Sequence, residues 1–331
     1  MIKFEFKPKE LKILNNYNYL GNSDILINDA STIMNPKNNS VIFSKKVTDV
    51  ILNKLNNISD CLVIIPATVD ISLLKNLEKN FFILSSNSRL DYAKIMSEII
   101  DKKKLSCVND DICFDAERCI FKSSNVSIGK DTIIEPFVLI ESNVIIGNNA
   151  IIKTGAKIRR FTEIGNDVFI CENVVIGTQG FGVERDIDNR LYRIPHIGGV
   201  KIDDYSEIGA NSSIASGTIE PTYIGKNVII DTSVHIAHNA YISNGSLVAG
   251  KAVISGSVVI GKNTWIGPGV IISNKINIGK NAFISLGSVV IEDVGDNEKV
   301  SGNFALKHED FMKLQAKQRI TLFKERNSNK E

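Results

Sequence analysis

Residues 128–176 read IGKDTIIEPFVLIESNVIIGNNAIIKTGAKIRRFTEIGNDVFICENVVI. An isoleucine falls at every sixth place, at Ile128, Ile134, Ile140, Ile146, Ile152, Ile158, Ile164, Ile170 and Ile176. A second run holds Ile202, Ile208 and Ile214. A third passes from Ile224 through Ile230, Ile236, Ile242, Val248, Ile254, Ile260, Ile266, Ile272, Ile278 and Ile284 to Val290. Helices bury side chains with a period near 3.6 and ordinary strands with a period of two, so a strict period of six fits neither. It fits a solenoid with three short strands per turn, in which every sixth side chain points to the axis and stacks on its equivalent one coil away.

The fold class that follows is mainly β: a left-handed parallel β-helix of hexapeptide repeats. Glycine often follows the aliphatic, as in Ile128-Gly129, Ile146-Gly147 and Ile260-Gly261, where unusual corner dihedrals or a tight approach would be needed. The period is interrupted twice, by TQGFGVERDIDNRLYRIPH between Ile176 and Ile202 and by a step of ten between Ile214 and Ile224. Solenoids carry insertions on their surface, commonly on the binding face, so the site is expected near these loops.

The flanks lack the period. Residues 1–105 alternate strand-like runs (VIFS at Val41, CLVII at Cys61, FFIL at Phe81) with helix-like ones (Val47 to Leu55, Leu73 to Leu77, and DYAKIMSEII from Asp91), the pattern of a small α/β domain. The β-helix is assigned to 106–300 and C-terminal helices to 301–331, where the segment from Lys307 onward has no Gly or Pro and is net positive.

Composition narrows the function. The 331 residues carry 39 basic and 37 acidic side chains, a formal charge of +2, too small for nucleic-acid binding by the whole surface. The N-terminus MIKFEFKPKE has no signal-peptide core and no apolar run is long enough for a bilayer, so a cytoplasmic protein without a transmembrane segment is expected. Five cysteines (Cys61, Cys107, Cys113, Cys119, Cys171) without CxxC spacing read as reduced thiols.

A β-helix has no cleft of its own, so reactive groups must stand out from its faces and be enclosed by loops or a neighbouring subunit. Of the four histidines, His196, His235, His238 and His308, two lie in the segment DTSVHIAHN just after the second interruption. Ile236 is the inward residue, so His238, two places on, points outward. Gly256 and Asn274 stack above it one and two coils away. An outward histidine can act as a general base near neutrality, and a glycine in the next coil leaves its backbone N–H open to a developing oxyanion. A solvated surface histidine would occupy the same place.

The segments IGTQGFG, RIPHIGGVKIDDYSEIGANSS, VHIAHNAYI, AGKAVISGSVVIG and VSGNFAL resemble the UDP-3-O-acylglucosamine N-acyltransferases (LpxD type) of lipid A synthesis. The likeness implies a homotrimer with sites between neighbouring β-helices, an N-terminal domain contacting the nucleotide, and C-terminal helices recognising an acyl carrier protein. It also implies that His238 is the general base and the Gly256 N–H the oxyanion donor. No cofactor is implied; acyl carrier protein or coenzyme A brings the acyl group as a co-substrate. IAHN places Asn239 beside the base.

Several positions depart from the family pattern. Thr232 stands where the family has Asn, Lys275 where it has a second histidine, Ala215-Ser216-Gly217 where it has DRG, and Gln179 where it has Asp before GFG. Phe43 matches one uracil-stacking aromatic, but Asp49 takes the place of the second. These departures suggest the same reaction on a different nucleotide-linked amino sugar, one destined for a surface polysaccharide rather than the lipid A of the family, and with room for a different acyl donor. Lys275 fits a phosphate or sugar contact as well as an exposed corner lysine. Phe181 fits a lid over sugar or pantetheine as well as a pin for its loop. His235 is expected to be auxiliary or structural, His196 and His308 structural. Two other classes share the architecture: a zinc enzyme of the carbonic anhydrase type, drawing on His196, His235 and His238, and a non-catalytic structural solenoid.

Overall fold

The computed structural model describes residues 4–102, 112–117, 119–302 and 304–328, with side chains to 321 in the last helix. The 105/106 boundary and Cys107 lie outside them; Cys61, Cys113, Cys119 and Cys171 are free thiols. The period of six is realised as a three-sided parallel β-helix whose sides are sheets of ten, eight and nine short strands. Equivalent residues pair one coil apart, Ile140 with Ile158 and Ile158 with Ile176. The register survives both interruptions, with Ile176 pairing Ile214 and Ile214 pairing Ile236.

Each side sends two residues inward, the Ile of the repeat and the residue two places before it. Val138, Val144, Ala150, Ala156, Val168 and Val174 are as buried as the isoleucines they precede. Where this second place is polar, the hydroxyl donates to a carbonyl: Thr264 Oγ1 to Gly279 O at 2.7 Å and Ser246 Oγ to Gly261 O at 2.8 Å. A buried hydroxyl without such a partner would be costly.

The corners separate the two roles expected of glycine. The left-handed backbone occurs three places after the repeat aliphatic, on Asn or Asp more often than on any other residue (Asn143, φ 57°; Asp167, φ 55°; Asn263, φ 55°). Asn and Asp tolerate that region better than other side chains. The glycines directly after the aliphatic serve close approach instead: a Cβ on Gly147 would lie 2.6 Å from the carbonyl carbon of Gly165 in the next coil.

The N-terminal part is a five-stranded sheet of β1 (Asn18–Gly21), β2 (Asp29–Ala30), β3 (Ser40–Phe43), β4 (Leu62–Pro66) and β5 (Phe81–Ser85), in the order β1-β5-β4-β3-β2. Only β1 runs antiparallel to its neighbour. Helices α1 (Asp49–Leu55) and α2 (Ser88–Lys102) accompany it. The helix expected over Leu73 to Leu77 is absent: two 3-10 turns, Ile71–Leu73 and Leu77–Lys79, flank Leu74, which is extended. Leu74 is buried and Asn76 Nδ2 donates to Leu55 O at 3.0 Å, so the apolar spacing there reflects a loop pinned to α1.

The first interruption forms a hairpin, Val183–Arg185 with Leu191–Arg193, which packs on α2. Ile194, Ile197 and, from the second interruption, Ile219 complete the apolar core of the N-terminal part. Both insertions therefore fasten that part to one flank of the β-helix. Helix α3 (His308–Ser328) follows the last coil, with Phe311, Met312, Leu314 and Ile320 exposed. No described helix is long and apolar enough to cross a membrane.

Neighbouring residues of one strand test the inward assignment. Ile158→Ala is expected to cost ~2–5 kcal/mol by removing a fully buried side chain, while Lys157→Ala, facing out, should stay within ~0.5 kcal/mol. Urea unfolding midpoints of the two variants check it; equal midpoints would refute the inward and outward assignment.

Candidate active site

A cleft of about 1140 Å³ lies between the β-helix and the N-terminal sheet. One wall is the coil corner bearing Ala237, His238 and Asn239, with Gly256, Asn274 and Lys275 above. The facing wall is Phe43, Ser44 and Lys45 at the end of β3 and Arg89 at the start of α2. The first insertion brings Gln179, Gly180 and Phe181, the second Ala215 and Thr218 to Pro221.

Of the residues singled out from sequence, Phe43, Gln179, Phe181, His235, His238, Asn239, Gly256, Asn274 and Lys275 all border this cleft; Thr232 does not. Six residues span one side of the prism, so Thr232 occupies the neighbouring corner.

The stacking around His238 is close. Ser257 N donates to His238 O at 2.9 Å and Lys275 N to Gly256 O at 3.0 Å, tying three coils together at this corner. A Cβ on Gly256 would lie 2.7 Å from His238 Cε1, so only glycine lets the imidazole lie against the next coil. Burial holds His238 below the ordinary imidazole range, and the Arg89 guanidinium adds to this. The ring is therefore held as the neutral base.

The Gly256 N–H takes no hydrogen bond among the described residues. Elsewhere a carboxylate just after the repeat aliphatic accepts the corner N–H nineteen residues on: Glu135 from Thr154 at 3.0 Å, Glu141 from Arg160 at 3.2 Å and Asp231 from Gly250 at 3.0 Å. The equivalent place below Gly256 is Ala237, which has no acceptor to offer. Sequence reading missed this, because an acid follows the repeat aliphatic only at Glu135, Glu141, Asp203 and Asp231, and the missing acceptor shows only once the coils are stacked.

Other side chains are already engaged within the protein. The Gln179 amide pairs both ways with the His196 backbone, each bond 3.1 Å, so it clamps the loop. Asn239 accepts from Thr218 N at 2.7 Å and donates to Thr218 Oγ1 at 3.1 Å, holding the second insertion in place. His235 Nδ1 lies 2.8 Å from Ser213 Oγ, and burial lowers its pKa. Phe43 packs on Tyr92 with ring centroids 4.6 Å apart, while Phe181 is 84% exposed at the cleft mouth. Lys275 sits at a left-handed corner with its side chain exposed.

Sequence reading also missed Arg89, which pairs with Glu184 of the hairpin, and Glu220, whose carboxylate accepts from Thr32 Oγ1 at 2.9 Å and Asn35 Nδ2 at 3.2 Å. Both join the N-terminal part to the insertions, contacts that no local motif announces.

The comparisons define the class. A family model described as bacterial transferase hexapeptide (six repeats) matches residues 125–160. The solved UDP-N-acetylglucosamine acyltransferase from Campylobacter jejuni is 28% identical and superposes with a TM-score of 0.51, covering 56% of this chain and 70% of that one. The chain carries the hexapeptide repeat and folds as a left-handed parallel β-helix of that kind.

Within the class, the similarity runs to enzymes named UDP-3-O-acylglucosamine N-acyltransferase. That of Pseudoalteromonas translucida (strain TAC 125) is 42% identical over 94 residues, 28% of this chain and 27% of that protein. That of Coxiella burnetii (strain RSA 493 / Nine Mile phase I) is 43% identical over 96 residues, 29% and 28% respectively. The matched stretch thus spans little more than a quarter of the length of these curated relatives.

Gly256→Ala tests the packing at this corner. Its Cβ should push the imidazole aside with little change in melting temperature, and a displacement near 1 Å at a reacting group can cost ~100-fold in rate. An unaltered turnover number would refute the contact.

Proposed function

We propose that the protein is an N-acyltransferase that moves an acyl group from a pantetheine thioester to the amine of a nucleotide-linked amino sugar. The observation that carries this reading is the stack of a neutral, half-buried His238 under the uncapped N–H of Gly256 in one cleft. The named activity of the relatives supports it.

The amine nitrogen attacks the thioester carbonyl while His238 takes the proton it loses. The carbonyl oxygen becomes an oxyanion and accepts the Gly256 N–H. Collapse of the tetrahedral adduct breaks the C–S bond, and the His238 imidazolium returns its proton to the departing thiolate, leaving an amide and a thiol. An amine needs little further activation, so a base, an oxyanion donor and firm positioning suffice.

Phe43, Ser44 and Lys45 at the end of a parallel strand are placed to meet the nucleotide, and Lys275 and Asn274 to meet phosphate or sugar. Phe181 closes over the sugar or the pantetheine arm. The donor is an acyl carrier protein, drawn by Lys307, Lys313, Lys317 and Arg319, all exposed along the C-terminal segment. The working unit is a homotrimer, in which a neighbouring β-helix closes the open side of the cleft.

His238→Ala should lower turnover by ~100- to 10,000-fold. Ala237→Asp should cap the Gly256 N–H and lower turnover comparably, with the added carboxylate raising the His238 pKa, a shift that the pH profile reads separately. With a base held below the usual imidazole range, kcat/KM should rise with pH through a midpoint below the ordinary imidazole value of ~6.5 and then level off. Steady-state rates with an acylated carrier protein check all three; full activity in His238→Ala would overturn the base.

Of the departures from the family pattern, Ala215 and Lys275 border the cleft with side chains not tied up within the protein, and they point to an acceptor other than 3-O-acylated UDP-glucosamine, since a site that changes its polar partners discriminates strongly. Comparing UDP- and dTDP-linked amino sugars by kcat/KM checks this. A tenfold preference for the 3-O-acylated UDP-glucosamine would contradict it.

A further inference from the structure

The reaction as drawn leaves one buried histidine unexplained. His196 is 3% exposed, and neither ring nitrogen makes a well-formed hydrogen bond among the described residues, the Ile194 backbone alone approaching the ring. A residue there only to fill space would be apolar, because a buried polar group left unpaired is destabilising. Its backbone is clamped by Gln179 while the ring alone goes unpaired.

The space around the ring is cut to fit. A Cβ on Gly180 would lie 2.6 Å from His196 Nε2 and 2.8 Å from His238 Cβ, and one on Gly182 would lie 2.9 Å from His196 Cε1. The two glycines of the GFG loop thus seat His196 against the base. Its ring meets that of His238 edge to face, with centroids 4.8 Å apart and planes at 75°. His238 Nδ1 is itself buried and unpaired, so three orphan imidazole nitrogens meet in one pocket.

A histidine base needs an acceptor for the proton on the nitrogen it does not use. The acceptor fixes the tautomer and stabilises the imidazolium formed in the transition state. We infer that His196 supplies that acceptor: after a small turn of the two rings from their edge-to-face pose, a ring nitrogen of neutral His196 takes the Nδ1–H of His238 and leaves the Nε2 lone pair for the acceptor amine. The inference rests on His238 being the base, and His196 is then a positioning residue that touches no substrate.

The surroundings keep His196 in the required form. Burial holds it down to about 4, and His238, Arg89 and Arg193 add to this, so it is a neutral acceptor near pH 7. The charged groups facing the pair are Arg89 from α2, itself paired with Glu184 of the hairpin, and Arg193 from the hairpin's second strand.

Side-chain ¹⁵N NMR reads the tautomer without any substrate, and the chain has only four histidines to assign. Wild-type His238 should carry its proton on Nδ1. His196→Phe, which fills the ring's space without nitrogens, should lose the fixed tautomer and lower the His238 titration midpoint further. Its kcat should fall ~10- to 100-fold, less than removal of the base itself, with the donor KM unchanged. Either His196→Gln or His196→Asn, whose amides reach the Nε2 or Nδ1 place, should restore tautomer and rate together.

An unchanged tautomer, midpoint and kcat in His196→Phe, beside an inactive His238→Ala, would overturn this inference and leave the base assignment standing. An active His238→Ala would instead remove the base assignment, and the NMR readout would still decide whether the contact exists. Should the Phe variant not fold, wild-type tautomer and rate in one amide variant with both lost in the other would support the contact, and loss in both variants, or wild-type values in both with a bare His238 Nδ1, would refute it.

Discussion

Every placement in the molecule depends on one constraint, the stacking of like residues from coil to coil. The inward aliphatics of one coil rest on those of the next, and short parallel ladders lock that register. Burial of apolar area is the driving force, and the close packing of Ile, Val and Ala inside a narrow prism leaves no room for slippage. An insertion in such a structure must leave at a corner and return to it. The two interruptions do so on the same flank, with Ile176, Ile214 and Ile236 still in line beneath and above them. A histidine at one corner therefore meets a fixed glycine in the next coil, and the loops that leave beside it have nowhere to fold except over that histidine.

The chemistry depends on what this corner omits. Three other corners are tied by carboxylates that accept the N–H nineteen residues on, whereas Ala237 and Gly256 offer neither the acceptor nor a side chain. The price is three unpaired imidazole nitrogens, out of five buried side-chain nitrogens and oxygens left without a partner among the described residues, beside an N–H that takes no bond. Local breaches of this kind belong to sites that act on a ligand rather than to scaffolding. Burial and Arg89 together keep the imidazoles neutral, which suits a base more than an ion-pair partner.

The β-helix was legible because one residue type, isoleucine, recurs at the inward place. The second inward place escaped because Val, Ala, Ser and Thr share it, the hydroxyls being paired with carbonyls within the coil. Strands β1 and β2 left no signal, being short and largely polar at the edges of their sheet. Leu73 to Leu77 read as helical from apolar spacing alone, whereas Asn76 bonding back to α1 breaks the segment into two turns. His238 and Gly256 were found by counting coils, which works where the period is intact. His196 was read as structural because its approach to His238 arises from a hairpin that folds back across the interruption, a distance no period encodes.

The most direct measurement is a crystal structure with a ketone analogue of an acyl-pantetheine thioester and a UDP-linked amino sugar bound together. The account predicts the ketone oxygen ~2.7–3.1 Å from Gly256 N and the sugar nitrogen ~2.6–3.2 Å from His238 Nε2, both inside the cleft between β3 and the histidine corner. Ligands seated away from this corner, or a ketone oxygen turned from Gly256 with the amine beyond reach of His238, would contradict it.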